Sequence, residues 1–268
     1  MLSTAQLLRP LPVHRETFHS FVSRLAATNG VSAADFCVDM GFSLKRAIDL
    51  DQHALERIGE LGGLPLDVLA DMLSWTGERV GNVRMRFRNE IFVSRALRNP
   101  VVRGCPVCLR EDAAAHDGAP IEAMAMRGDW QLREVSVCLL HRHPLVPTWD
   151  AALVTERFDI GSRLAEIEER ILSCEAEQAR VELSPYDVWL DGRLEDARDG
   201  TWLAGHSLYA ATAFIRLLGT EMLRLGIHEM PESCDPLRMA QAAGSPRRTT
   251  SKPAACAIRS GSQLSGIS

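Results

Sequence analysis

Four residues of this chain have the types and the spacing to hold a metal: Cys105, Cys108, Cys138 and His141. They read Cys105-Pro106-Val107-Cys108 and Cys138-Leu139-Leu140-His141, with 29 residues between the pairs. Two pairs with a two-residue gap, joined by one longer excursion, place four thiolate and imidazole donors tetrahedrally around Zn2+. Four protein donors leave no position for water, so the chemistry expected is one structural Zn2+ rather than a catalytic one. Two readings compete with this: unrelated cysteine pairs, or a redox dithiol. A redox Cys-x-x-Cys normally opens a helix after a strand. Here Gly104 and Pro106 flank Cys105 and predict a tight, non-helical turn, and a matched second pair lies downstream. His143 is a rival for the fourth position, but His141 has the matching spacing.

The elements around these donors follow from periodicity and punctuation. Alternation at Trp130, Leu132, Val135 and Val137 predicts a strand or hairpin arm over 130–137 that delivers Cys138 into the second ligand turn. A ribbon-like zinc knuckle over 105–148 is the expected result, closed by Pro144-Leu145 and Trp149. Upstream, residues 8–14 are held extended by two prolines. Phe18, Phe21, Val22 and Leu25 predict a helix over 17–29, with Asn29-Gly30 at its end. Ser32 and Asp35 begin a second helix that Gly41 ends, and Leu55, Ile58 and Leu61 mark a third, broken by Gly62-Gly63. Pro65 opens a fourth, with Leu66, Leu69, Ala70 and Leu73 on one face.

The segment 84–103 carries six arginines (84, 86, 88, 95, 98 and 103) against the single acid Glu90. Its apolar positions Phe87, Ile91, Phe92 and Leu97 predict an amphipathic helix under the charges. Beyond the knuckle, Ile160, Leu164, Ile167 and Ile171 predict one helix, and Leu208 to Leu225 another. These two apolar rows are expected to pack on each other. After Pro231 the composition turns to Ser, Gly, Ala, Pro and Arg without periodicity, which predicts disorder.

The fold class expected is therefore mainly α. Its parts are a helical N-terminal region (1–104), a small zinc-ribbon β insertion (105–148), C-terminal helices (149–230) and a disordered tail (231–268). A helix–turn–helix fits 53–76, although any two adjacent helices look alike at this level and Asp67, Asp71 and Glu78 suit a phosphate surface poorly. The better electrostatic footprint for DNA is Arg84, Arg86, Arg88, Arg95 and Arg98. A solvated face explains the same residues.

Composition narrows the function. At 268 residues and 46% hydrophobic content the chain can build a real core, and its net charge of −5 is not that of a polycation. No apolar run is long enough for a membrane span, and the start lacks the pattern of a secretory signal. Cys37, Cys174, Cys234 and Cys256 show no disulfide spacing, so a cytoplasmic protein is expected. There is no phosphate-cradling glycine loop, Gly-x-Ser-x-Gly or His-Glu-x-x-His, so an enzyme is not expected. Residues 150–200 hold fourteen acids against six arginines, an anionic surface suited to a basic protein partner.

Three separated segments resemble a known family in their order. Leu11-Pro12 with Glu16-Thr17-Phe18-His19-Ser20-Phe21-Val22-Ser23-Arg24-Leu25-Ala26 is similar to the start of TniQ proteins. Arg103 to Asp112, Trp130 to His141 and His143-Pro144-Leu145 resemble that family's zinc motif. The resemblance covers roughly residues 8–148 and implies an accessory role in DNA transposition of the Tn7-like kind. It implies target-site selection by a helical DNA-binding region and a zinc ribbon, bridging a target complex to the transposition ATPase. The partners implied are DNA, that ATPase, and in some relatives a second copy of the chain and a CRISPR effector complex. Unlike the larger members, this chain shows no long C-terminal extension and no second zinc motif. The competing function is a zinc-stabilised transcriptional regulator or protein-interaction module.

Overall fold

The computed structural model describes residues 7–226 and 249–251. It is mainly helical, with a few short sheets. Five helices come first: α1 (Phe18–Thr28), α2 (Ala33–Asp39), α3 (Leu44–Ile48), α4 (Gln52–Gly62) and α5 (Leu66–Thr76). The hydroxyls of Thr17, Ser32 and Ser43 and the carboxylate of Asp51 each accept a backbone N–H at the N-terminus of α1 to α4, as helix starts require. Gly63 ends α4 in the left-handed conformation, φ +64°. Phe18, Phe21, Val22 and Leu25 of α1 are fully buried and form a core with Phe36, Ala54, Ile58 and Met72. The face predicted for α5 is rotated: Leu66 and Ala70 are exposed, while Met72, Trp75 and Thr76 are buried. Residues 63–65 join α4 to α5.

The arginine-rich segment is not a helix. It forms an antiparallel meander of β1 (Glu78–Val80), β2 (Arg84–Phe87) and β3 (Glu90–Val93), followed by α6 (Ser94–Leu97) and β4 (Val101–Gly104). Met85 and Phe87 point inward while Arg84 and Arg86 face solvent, a period of two that the helical reading overlooked. The turn Arg88-Asn89 joins β2 to β3, with Arg88 at φ +51° as tight hairpins demand.

The next stretch opens with α7 (Pro106–Ala114) and α8 (Pro120–Ala123). The strand predicted over 130–137 shrinks to β5 (Val137–Cys138), because residues 128–131 form a 3-10 turn and the backbone turns again at Val135, bonding to the Leu132 carbonyl. Trp130, Leu132, Val135 and Val137 are nevertheless all buried, so the alternation was packing without a ladder. β6 (His143–Pro144) pairs with β5, and β7 (Val146–Asp150) pairs antiparallel with β4.

The last elements are α9 (Val154–Arg157), α10 (Ile160–Leu172), β8 (Arg180–Val181), α11 (Pro185–Asp196), α12 (Leu208–Arg224) and β9 (Thr249–Ser251). The apolar rows of α10 and α12 do not stack mainly on each other. α10 packs on α1, α7 and α8, and α12 packs on β3, within one core that runs from Trp75 to Met222. α11 is tied down by charge: Arg15 pairs with Asp191 at 2.6 Å and with Glu195, and Arg193 pairs with Glu90 and Asp199. Several acids of 150–200 are thus internal partners rather than free anionic surface. The predicted disordered tail lies outside the described residues except for β9, which pairs with β8. Cys174 is disulfide-bonded, against the expectation of a thiol without a partner.

A buried polar seam joins the first helix to the segment that follows α8. Glu16 is 1% exposed and accepts hydrogen bonds from Arg24 at 2.8 Å, from Ser20 Oγ at 2.9 Å and from the Val13 N–H. Ser20 Oγ in turn accepts the Met126 N–H, and Thr17 N–H donates to the Met126 carbonyl. Gly128 completes the seam. A Cβ there would lie 2.7 Å from Trp75 Cβ and closer still to the Trp75 carbonyl, so only glycine fits.

Candidate metal centre

The four predicted donors come together and are buried, their ligand atoms all within 4.8 Å of one another. β4 runs into Cys105, which caps α7, and Cys108 lies in the first turn of that helix. The expected non-helical turn is therefore a helix start, since Pro106 is well suited to a first helical position. This is also the strand-to-helix context of a redox pair, and the second pair is what sets the site apart. Cys138 ends β5, and the chain reverses through Leu139 to Arg142 into β6, with Arg142 at φ +52°. That reversal presents His141 beside Cys138.

The distances suit a tetrahedral ion. Cys108 Sγ lies 3.6 Å from Cys138 Sγ, and His141 Nδ1 lies 3.6, 3.2 and 3.6 Å from the sulfurs of Cys105, Cys108 and Cys138. Donors about 2.3 Å (sulfur) and 2.0–2.1 Å (nitrogen) from a tetrahedral Zn2+ stand roughly 3.5–3.8 Å apart. The imidazole is set for this role, because its Nε2–H donates to Glu111 Oε2 at 2.9 Å and leaves the Nδ1 lone pair facing the sulfurs. Glu111 was missed by sequence reasoning. Its signal, three residues beyond Cys108, is visible only once Cys108 is placed on a helix.

His143 is not a rival. Its Nδ1–H donates to the Pro144 carbonyl at 2.6 Å and its Nε2 accepts the Gln178 N–H at 2.7 Å, so both ring nitrogens are engaged. Crowding of three sulfurs also polarises their protons. Hydrogen bonds with Cys105 and Cys108 hold the Cys138 thiol far below the usual thiol range, and hydrogen bonds with Cys105 and Cys138 push the Cys108 thiol far above it. Hydrogen bonds to Cys105 and Cys138 raise His141 to about 10. A divalent cation that takes these lone pairs removes that competition.

The arginines named as DNA contacts separate into two groups. Arg84, Arg86, Arg95 and Arg98 are exposed, with Arg86 paired to Glu78. Arg88 is a fold residue: it pairs with Asp71, donates to the carbonyls of Leu194 and Glu195, and lies over the Trp75 ring at 4.3 Å. Arg103 donates to the carbonyls of Trp130 and Leu132. Among the described residues, no helix is long and apolar enough to cross a membrane.

A comparison with curated proteins finds no match. A protein-family model does match, and it spans residues 7–145, from the N-terminal arm through all four donors and more than half of the chain. The chain belongs to the TniQ family of transposition-associated proteins.

Proposed function

We propose that this protein selects target sites in DNA transposition, as an adaptor that engages DNA or a target complex and bridges it to the transposition ATPase. One structural Zn2+ on Cys105, Cys108, Cys138 and His141 fixes the fold of 105–148. The observation that carries the reading is the family match, which encloses the helical region and the donor set in one continuous stretch. Two surface features support it. Arg84 and Arg86 stand out from the meander beside the exposed apolar residues Ile91 and Val93, and Glu166, Glu168 and Glu169 lie on α10. Phosphate contacts from the meander position DNA without specifying sequence, and an acidic helix face suits a basic protein partner. DNA, the ATPase, a second copy of the chain and a CRISPR effector complex are the partners to test, in a cytoplasmic setting.

The test is reconstitution. Full-length protein, with metal content near one zinc per chain by elemental analysis, is mixed with purified ATPase from the same transposon and with DNA. The adaptor reading expects a complex containing both proteins, with target choice dependent on the chain. Binding to DNA alone, with no capture of the ATPase, would assign the protein to transcriptional regulation instead.

A further inference from the structure

A pocket lies between the end of α6, β4, the Trp130 turn and the start of α10, away from the metal donors. Its walls are apolar, with Trp130, Trp149 and Phe158 foremost, and four arginines line it: Arg98, Arg103, Arg127 and Arg157. Among the described residues no acid lines it, in a chain whose net charge is −5. Asp112 neutralises Arg127. The other three have no carboxylate in ion-pair contact among the described residues. Arg157 is 9% exposed and donates through Nε and Nη2 to the Ala151 carbonyl and through Nη2 to that of Ala152, which leaves Nη1 without a hydrogen bond among the described residues. Among the described residues, the Arg103 guanidinium hydrogen-bonds to the carbonyls of Trp130 and Leu132, and the Arg98 side chain makes no hydrogen bond.

Such a cluster is electrostatically unsatisfied. Burial lowers Arg98 below the usual guanidinium range, and repulsion from Arg79 and Arg157 outweighs the attraction of Asp49. Burial lowers Arg103 as well, with Glu134 and Arg133 acting in opposite directions. Apolar walls strengthen any attraction an anion would feel here. The cavity of about 50 Å³ has room for roughly three to five waters at 10–15 Å³ each, enough for one small oxyanion. Several guanidinium charges around so small a space favour a multiply charged oxyanion over a carboxylate.

We propose that this pocket is an anion site that takes a single phosphate group, held by Arg98 and by Nη1 of Arg157, with Arg103 supplying further positive charge. The phosphate comes either from a free phosphate or mononucleotide or from a nucleic-acid backbone. Neither the metal centre nor a role in transposition is needed for it.

The test is calorimetric titration of the full-length protein at fixed ionic strength with sodium phosphate, adenosine 5′-monophosphate and a duplex oligonucleotide, with acetate for comparison. At least one phosphate-bearing probe should bind saturably and more tightly than acetate, and Arg98→Gln should weaken it about tenfold or more. Arg98-dependent binding of phosphate or the mononucleotide identifies a free source, and Arg98-dependent binding of the duplex alone identifies the backbone. Arg98 sits at the exposed rim, so its variant reads the site even where the buried Arg157→Gln fails to fold. Arg224→Gln, which removes an exposed pair with Glu221, should change nothing. No saturable binding, or equal losses in Arg98→Gln and Arg224→Gln, overturns the proposal.

Discussion

Replacing Glu111 with alanine tests the metal centre without touching a donor. Glu111 follows Cys108 by three residues on α7, and its carboxylate is the partner that fixes the His141 ring, at 2.9 Å from Nε2. Outer carboxylates of this kind are worth about 10–100-fold in metal affinity. The Glu111 side chain is 59% exposed, so water replaces part of the lost acceptor and the lower end, about tenfold, is expected. Tenfold in affinity is about 1.4 kcal/mol. Because metal binds the folded chain, free zinc buffered well above the dissociation constant should leave Glu111→Ala less stable than the parent by about that amount. In excess chelator the two should unfold alike. Competition with a chromogenic chelator reads the affinity, and denaturant unfolding with and without zinc reads the linkage. Equal destabilisation in both states would refute the reasoning, since Glu111 would then support the fold and not the ion. His143→Ala gives the converse pattern: zinc affinity stays within about twofold, while stability falls in both states through the lost Gln178 and Pro144 contacts.

Other perturbations have equally definite outcomes. Cys108→Ser removes a donor and should release zinc and loosen 105–148, read as lost metal by elemental analysis and as faster amide exchange there. His19 is buried, and desolvation lowers it to about 4 from 6.5. The unfolded chain therefore takes up the proton first as pH falls, so this stabilisation is full above 6.5 and declines toward 4, by up to about 3 kcal/mol. His19→Gln should flatten that slope in urea unfolding, and an unchanged slope would assign the acid sensitivity elsewhere. Gly128→Ala forces a Cβ against Trp75 and should cost about 2 kcal/mol or more, measured by denaturation midpoint. Arg84→Glu with Arg86→Glu should weaken DNA binding across all sequences and lower the salt slope by about two, and unchanged affinity would free that face for a protein partner.

The candidate donor cluster was legible because metal chemistry constrains residue type and spacing together, and no packing motive puts Cys-x-x-Cys and Cys-x-x-His in one chain by the same rule. Helices α1, α4, α10 and α12 were legible from apolar rows in phase, and α2 from the start signal Ser32 with Asp35 and the stop at Gly41. What failed did so for separate reasons. In 84–97 the apolar residues Phe87, Ile91, Phe92 and Leu97 satisfy a helical period by coincidence, while Met85, Phe87 and the turn at Arg88-Asn89 satisfy a hairpin. Two periods competed, and the pairing that decided between them is non-local. Trp130 to Val137 failed in the opposite sense. The alternation reflected real burial, but over 130–135 the backbone hydrogen bonds go to turns and to Ala96, and a ladder begins only at Val137. Arg88 shows the limit of charge counting: its sequence neighbours suggested a phosphate contact, and its partners Asp71 and Glu195 lie far from it in the chain.

Helix α7 links the metal centre to the rest of the molecule. One side of it carries Cys108 and, three residues on, Glu111, which orients His141. The next residue, Asp112, accepts both the Arg127 guanidinium, at 2.7 Å on one oxygen, and the Ala125 N–H. Ala125 and Arg127 flank Met126, whose backbone bonds to Thr17 and Ser20, and Ser20 bonds to the buried Glu16. A chain of direct hydrogen bonds thus runs from the donor helix to the Glu16–Arg24 pair of α1. A metal that clamps the N-terminus of α7 therefore also steadies the seam on which the N-terminal arm rests. This accounts for the odd composition of the start of α1, where Glu16, just before the helix, and Ser20 and Arg24 within it are buried polar residues in positions where a plain core would use aliphatic ones. A polar seam demands one register and one geometry where an oily face would tolerate several.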